Sequence, residues 1–134
     1  MRILNYFPKL AFLVLTGWAV SGAAVETSEA EPARFCLPLM TIKTIKIIDN
    51  QHIAFQTRND DFYLNELPYT CPTLSRERVI MYSTPLNSLC SLDIITVLDD
   101  IGGGFQSMGS CGLGKFRPTS KADIQLLKDK KSTK

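Results

Sequence analysis

Four cysteines, Cys36, Cys71, Cys90 and Cys111, constrain this chain more than any other feature. Their number is even, none forms a CxxC pair, and His52 is the only histidine. A tetrahedral metal site therefore has neither the ligands nor the spacing it needs. In a small chain outside the reducing cytosol the same count reads as two disulfides.

The N-terminus predicts that compartment. Arg2 and Lys9 precede the apolar run LAFLVLTGWAV (10–20), and the small residues Ser21, Gly22, Ala23 and Ala24 follow. This is the three-part layout of a signal peptide over residues 1–24, cleaved after Ala23 or Ala24. The apolar run is too short for the roughly 18–20 residues that span a bilayer, so membrane contact is expected only through the transient signal. No Cys directly follows the run, which argues against lipid anchoring. Residues 25–34, polar and holding Pro32, read as a flexible lead. Residues 35–128 are expected to form one β-rich domain, since about 110 residues suffice for a single core, and residues 129–134 a basic tail. Loss of Arg2 and Lys9 leaves 13 basic residues against 13 acidic ones, and seven of the basic residues lie from Lys115 onward. Such a run at a terminus is usually a solvated end; contact with an anionic lipid or polymer is the alternative.

Between these ends, six short runs alternate with turns. They are TIKTIKII (41–48), QHIAFQT (51–57), FYLNEL (62–67), RVIMYS (78–83), DIITVL (93–98) and a Gly-rich region (105–117). In the second, Ile53 and Phe55 share one face while His52, Ala54 and Gln56 share the other. The spacing predicts a mainly β fold, a small antiparallel sheet or barrel of about six short strands. One C-terminal helix is expected over SKADIQLLKDK (120–130), with Ser120 and Asp123 at capping-box spacing and Ile124 and Leu127 at helical spacing. The helix should dock on the sheet or plug an open end of the barrel.

Four cysteines allow three pairings. In an up-and-down meander Cys36 and Cys90 fall at one end and Cys71 and Cys111 at the other. Strands of five to six residues, roughly 17–20 Å long, keep opposite ends too far apart for a bridge. The meander therefore favours Cys36–Cys90 with Cys71–Cys111; a longer last hairpin would instead put Cys111 mid-strand.

No segment rises to a catalytic signature. GSCGLGKF (109–116) spells GxxxxGK, but Phe116 stands where a P-loop needs a magnesium-binding hydroxyl, and Pro118 follows where a helix should open. Its glycines read as turn and bulge residues, and no nucleotide is expected. His52 sits on the polar side of a strand and reads as a solvated surface histidine; a hydrolytic site would have to join it to the acidic turns Asp60/Asp61 and Asp99/Asp100, where Asp is favoured for local backbone bonds. DDIGGG (99–104) lacks the alternating oxygen ligands of a calcium loop. Glu66 and Asp93 are an imaginable carboxylate pair, with nothing in the sequence to set their separation. Tyr63, Tyr69, Tyr82, Phe62 and Phe105 could line a groove but read better as core and cross-strand pairs. Nucleic acid is not expected, because Phe62–Ser75 carries no Lys or Arg among its aromatics.

The opening Cys36 with IIDNQHIAF after it, the segment FYLNELPYTCPTL, the LCSLD at 89–93 and the late Cys before a last strand and helix resemble an uncharacterised family of small exported bacterial proteins, domain of unknown function 6491. The resemblance covers Phe35 to Lys128, supports export and disulfides, and adds no catalytic residues; no metal or cofactor is expected. The reading favoured is a non-enzymatic exported accessory or binding module of the envelope, whose partner is an envelope protein or a small ligand. Its rivals are a small periplasmic hydrolase using His52, and a disulfide-stabilised inhibitor presenting TPLNSLC (84–90).

The exported product should begin at Ala24 or Val25 by intact mass. Since Trp18 is the only tryptophan, that product should show no tryptophan emission; a membrane-bound species retaining Trp18 would contradict cleavage.

Overall fold

Period-two patterning organises the chain. The computed structural model describes residues 31–133, so the expected signal peptide (1–24) and most of the lead (25–34) lie outside the described residues. The strands are β1 (Cys36–Pro38), β2 (Ile42–Ile47), β3 (His52–Thr57), β4 (Phe62–Glu66), β5 (Val79–Tyr82), β6 (Ser88–Cys90), β7 (Ile94–Asp100), β8 (Phe105–Gly112) and β9 (Phe116–Thr119), followed by the helix α1 (Lys121–Ser132). Every pairing is antiparallel.

Three sheets result, with orders β2-β3-β4-β9, β5-β7-β8 and β1-β6. The mainly β, antiparallel class with a C-terminal helix and two disulfides holds, but the sheets do not close into a barrel. The connection from β4 to β5 (67–78) carries Pro68 and Pro72, which cannot donate to a ladder, and delivers the chain to a separate sheet. Nor is the topology a meander: β9 returns from the second sheet to pair with β4. Pro118 lies inside β9, where an edge strand tolerates it. The Gly-rich sixth region therefore supplies two strands in different sheets.

Alternation separates the faces of the first sheet as expected. Ile45 opposes Phe55 and Ile47 opposes Ile53, and these inner residues join Tyr63 and Phe116 in the main core. The second sheet adds Ile95 and Val97, backed by Ile80 and Tyr82, and the small β1-β6 ribbon adds Leu37 and Leu89. Phe55 and Phe116 meet edge to face, with centroids 5.2 Å apart. Each such fully buried side chain contributes about 1.5–3 kcal/mol.

The outer face of the first sheet is covered by α1. Ile124 and Leu127 pack with Ile48, Ala54 and Phe62, and the Ser120 hydroxyl accepts from the Asp123 N–H at 3.1 Å, the N-cap its spacing predicts. The helix continues to Ser132, so residues 129–132, expected in a tail, are helical. Arg34, expected in the lead, exchanges two backbone hydrogen bonds with Phe116.

The disulfides are Cys36–Cys90 and Cys71–Cys111, the two pairs the meander favours, although the geometry differs. Cys36 lies directly opposite Cys90 in the β1-β6 ribbon, with Cα atoms 4.0 Å apart. Cys111 lies within β8 opposite Ile95, and its bridge ties the β4–β5 connection to the second sheet. Closing spans of 54 and 40 residues stabilises by about 4 kcal/mol each at most on loop entropy.

Between β8 and β9 the backbone touches β4. Asn65 is fully buried; its amide nitrogen donates to the Gly114 carbonyl at 2.7 Å and its Oδ1 accepts from the Gly114 N–H at 2.8 Å. A Cβ on Gly114 would stand 1.9 Å from the Glu66 carbonyl oxygen. Gly114→Ala should therefore destabilise the domain by about 3 kcal/mol or more, adding a buried backbone clash to the loss of both Asn65 bonds. Gly103→Ala, with open space around its Cβ, should change the urea midpoint little. Equal midpoints for the two variants would refute the close approach.

Candidate functional site

GSCGLGKF adopts no phosphate loop. Gly109 to Gly112 complete β8, Phe116 opens β9, and α1 begins only at Lys121. Gly109 has φ +127° beside the register shift between Val97 and Leu98, the bulge role its sequence suggests. Gly114 serves the close approach to β4, so both glycines of the motif have structural reasons.

His52 is not a solvated surface residue. Its side chain is 20% exposed, and Nδ1 lies 2.9 and 3.0 Å from the two carboxylate oxygens of Asp49. Asp49 Oδ1 also accepts from the Gln51 and His52 N–H groups at 2.7 and 3.0 Å, so one carboxylate shapes the β2–β3 turn and orients the imidazole. Burial acts to raise the Asp49 pKa, but the His52 and Gln51 hydrogen bonds, with the charges of His52 and Lys131, outweigh it and hold the carboxyl below the usual range.

An oriented His–Asp pair supplies two of the three members of a hydrolytic triad. Among the described residues Asp49 is the only side chain hydrogen-bonded to His52. The acidic turns named in the sequence do not join it. Asp60 and Asp61 follow the far end of β3, about 17 Å along the strand from His52 at roughly 3.4 Å per residue. Asp60 bonds Gln56 at 2.9 Å and Lys43 at 3.4 Å, contacts that lower its pKa. Asp99 pairs with Arg78 at 3.4 Å, and Asp100 accepts from the Gly102 N–H at 3.2 Å. Glu66 pairs with Arg117 at 2.8 Å, and Asp93 accepts from the Cys90 N–H at 2.7 Å. No group of three or more metal-ligating side chains occurs among the described residues.

The suggested aromatic groove is dispersed. Tyr63 is buried and Phe62 and Tyr82 are partly buried, whereas Tyr69 and Phe105 are exposed. In the TPLNSLC segment Leu86 is exposed, and the loop is pinned by Thr84 donating to the Ser88 carbonyl at 2.7 Å and by the Leu39 N–H donating to the Asn87 carbonyl at 2.9 Å.

The most distinctive concavity escaped the sequence reading. A cleft of about 610 Å³ lies where β2, the edge of the first sheet, faces β5, the edge of the second. Ile45, Ile47, Val79 and Ile80 line it together with Lys46, Arg76, Arg78 and Lys128, and among the described residues no acidic side chain does. Lys46 and Lys128 also line an adjoining cavity of about 230 Å³ between α1 and the first sheet, where Lys121 is added. Arg76 is held by the Ile48 carbonyl at 2.8 Å, the Lys128 carbonyl at 2.9 Å and the Ser132 hydroxyl at 3.2 Å. These acceptors are neutral: three of its five N–H groups are bonded, and among the described residues no carboxylate pairs with its charge. The cations come from three separate segments, β2, the β4–β5 connection and α1, and only the fold gathers them.

The Asp49 contacts give a pH signature. A carboxyl whose pKa is lower in the folded state stabilises above its unfolded value of about 3.9, and that stability is lost as pH falls through the folded value. Urea midpoints for the parent should therefore drop below about pH 4 more steeply than those of Asp49→Asn. At pH 7 the variant should be weaker by about 1.5–3 kcal/mol, as for lost hydrogen bonds to a charged group. Parallel acid limbs would show that the pair adds nothing.

The disulfides imply an oxidising, extracytoplasmic environment, and no helix among the described residues is long and apolar enough to cross a membrane. No curated protein and no solved structure matches the chain. The family of unknown function DUF6491 matches residues 1–134, and the chain belongs to that family.

Proposed function

We propose that this chain is a periplasmic or secreted, non-catalytic accessory module that binds a component of the cell envelope, a protein or a small ligand, through the cationic cleft between β2 and β5. The cleft carries this reading. It gathers four cations and four aliphatic side chains with no acid among them, a composition suited to holding an anionic group and unsuited to acid–base chemistry, which needs paired groups of matched pKa. The carboxylates considered for catalysis are engaged in turns and ion pairs, which supports the same reading. The signal-like N-terminus and the two disulfides support export. The inhibitor reading retains one observation, the exposed Leu86 on a pinned loop beside the Cys36–Cys90 bridge.

The hydrolase alternative is tested directly with the mature protein and its His52→Gln variant. Chromogenic ester, amide, phosphoester and glycoside substrates should show no turnover that depends on His52. Turnover by the parent that disappears in the variant would replace the binding module with an enzyme.

A further inference from the structure

Resting on the binding-module reading, we propose that the β2/β5 cleft takes an extended acidic segment of a partner polypeptide, which aligns its backbone with a free strand edge and sets its carboxylates against Lys46, Arg76 and Lys128. Three features of the cleft select this occupant.

The first is charge. Four cations line the cleft, and among the described residues Arg78 alone of these has a carboxylate partner, Asp99. Lys46 and Lys128 form no ion pair among the described residues. Arg76 is fixed by neutral acceptors from the end of β2 and the last turns of α1, so a cation is already positioned at the cleft and little side-chain entropy remains to be lost on binding an anion.

The second is the pair of edges. β2 and β5 each end a sheet, and among the described residues no backbone hydrogen bond joins them. Each edge offers N–H and C=O groups at strand spacing, the template that strand addition uses. A fatty-acid anion would satisfy the charge and the aliphatic floor but would leave these backbone groups unused. Nucleic acid is disfavoured because no aromatic side chain lines the cleft to stack a base.

The third is the floor. Ile45, Ile47, Val79 and Ile80 would receive alternate side chains of an extended segment, whose period of two turns the intervening ones toward the cationic rim. An alternating acidic and β-branched segment meets both surfaces at once. Lysines on an edge strand also serve as guards against unwanted pairing. A guard acts from the strand itself, however, whereas Arg76 and Lys128 are brought in from the β4–β5 connection and from α1.

The probe is a fluorescein-labelled, end-blocked six-residue peptide of alternating Glu and Val, followed by anisotropy with the mature disulfide-bonded protein. Binding should weaken at least about tenfold in the Lys46→Glu/Lys128→Glu variant and again when salt is raised from about 50 to 500 mM. The same peptide with alternate backbone amides N-methylated should also lose at least about tenfold, because it cannot complete an edge ladder. That comparison uses the parent protein and so stands even if the double variant folds poorly. A Lys/Val peptide should not bind, and laurate should not displace the Glu/Val peptide. Four results overturn the proposal: no binding of the Glu/Val peptide, undiminished binding of its N-methylated form, equal binding of the Lys/Val peptide, or displacement by laurate. If no peptide binds while the substrate panel stays silent, the acidic-segment assignment falls and the binding-module reading stands. Turnover dependent on His52 would instead remove the reading beneath it.

Discussion

The architecture depends on one buried amide. Asn65 lies at full burial in β4 and exchanges two hydrogen bonds with the backbone of Gly114, as a neighbouring strand would. That exchange turns the chain from the second sheet back to the first, so that Leu113 and Phe116 enter the core on either side of the contact. Without it the two half-buried backbone groups of Gly114 would lose their partners, at about 0.5–1.5 kcal/mol each, and β9 would lose its register against β4. Arg34, bridged to Phe116, and α1, which follows β9 directly, depend on it in turn.

Local patterning made the long strands legible. Ile42–Ile47, His52–Thr57 and Phe62–Glu66 fall within runs whose β-branched and aromatic content marks them, and the faces of β3 follow from alternation alone. The three-residue strands β1 and β6 left no such mark. They exist because Cys36 and Cys90 lie opposite each other, a tertiary cause that periodicity cannot register. The barrel expectation failed for a related reason: even spacing along a chain does not say which strands share a ladder. Pro118 bars the helix of a P-loop, yet it sits inside the edge strand β9, where its missing N–H costs nothing.

The candidate site was largely illegible. Lys46, Arg76, Arg78 and Lys128 span more than half of the chain and form no motif. The residues that attracted attention in the sequence, the GxxxxGK segment and the acidic pairs, owe their composition to a bulge, a close backbone contact and local turns. His52 was placed on the correct face of β3, but its partner Asp49 sits in the turn before it, and only the folded hairpin brings the two within hydrogen-bonding distance.

The two bridges interleave: along the chain the first cysteine pairs with the third and the second with the fourth. In any chain oxidised as it emerges N-terminus first, Cys36 and Cys71 meet before either native partner is available. A Cys36–Cys71 bridge formed at that stage blocks both native bridges and must be undone by thiolate exchange, which without catalysis takes minutes to hours. The first native bridge becomes possible only with Cys90, and the second only after Cys111, when β8 can pair with β7. For a chain oxidised in that order, the interleaved cysteines call for isomerisation as well as oxidation, since an oxidant alone has no means of undoing the Cys36–Cys71 bridge.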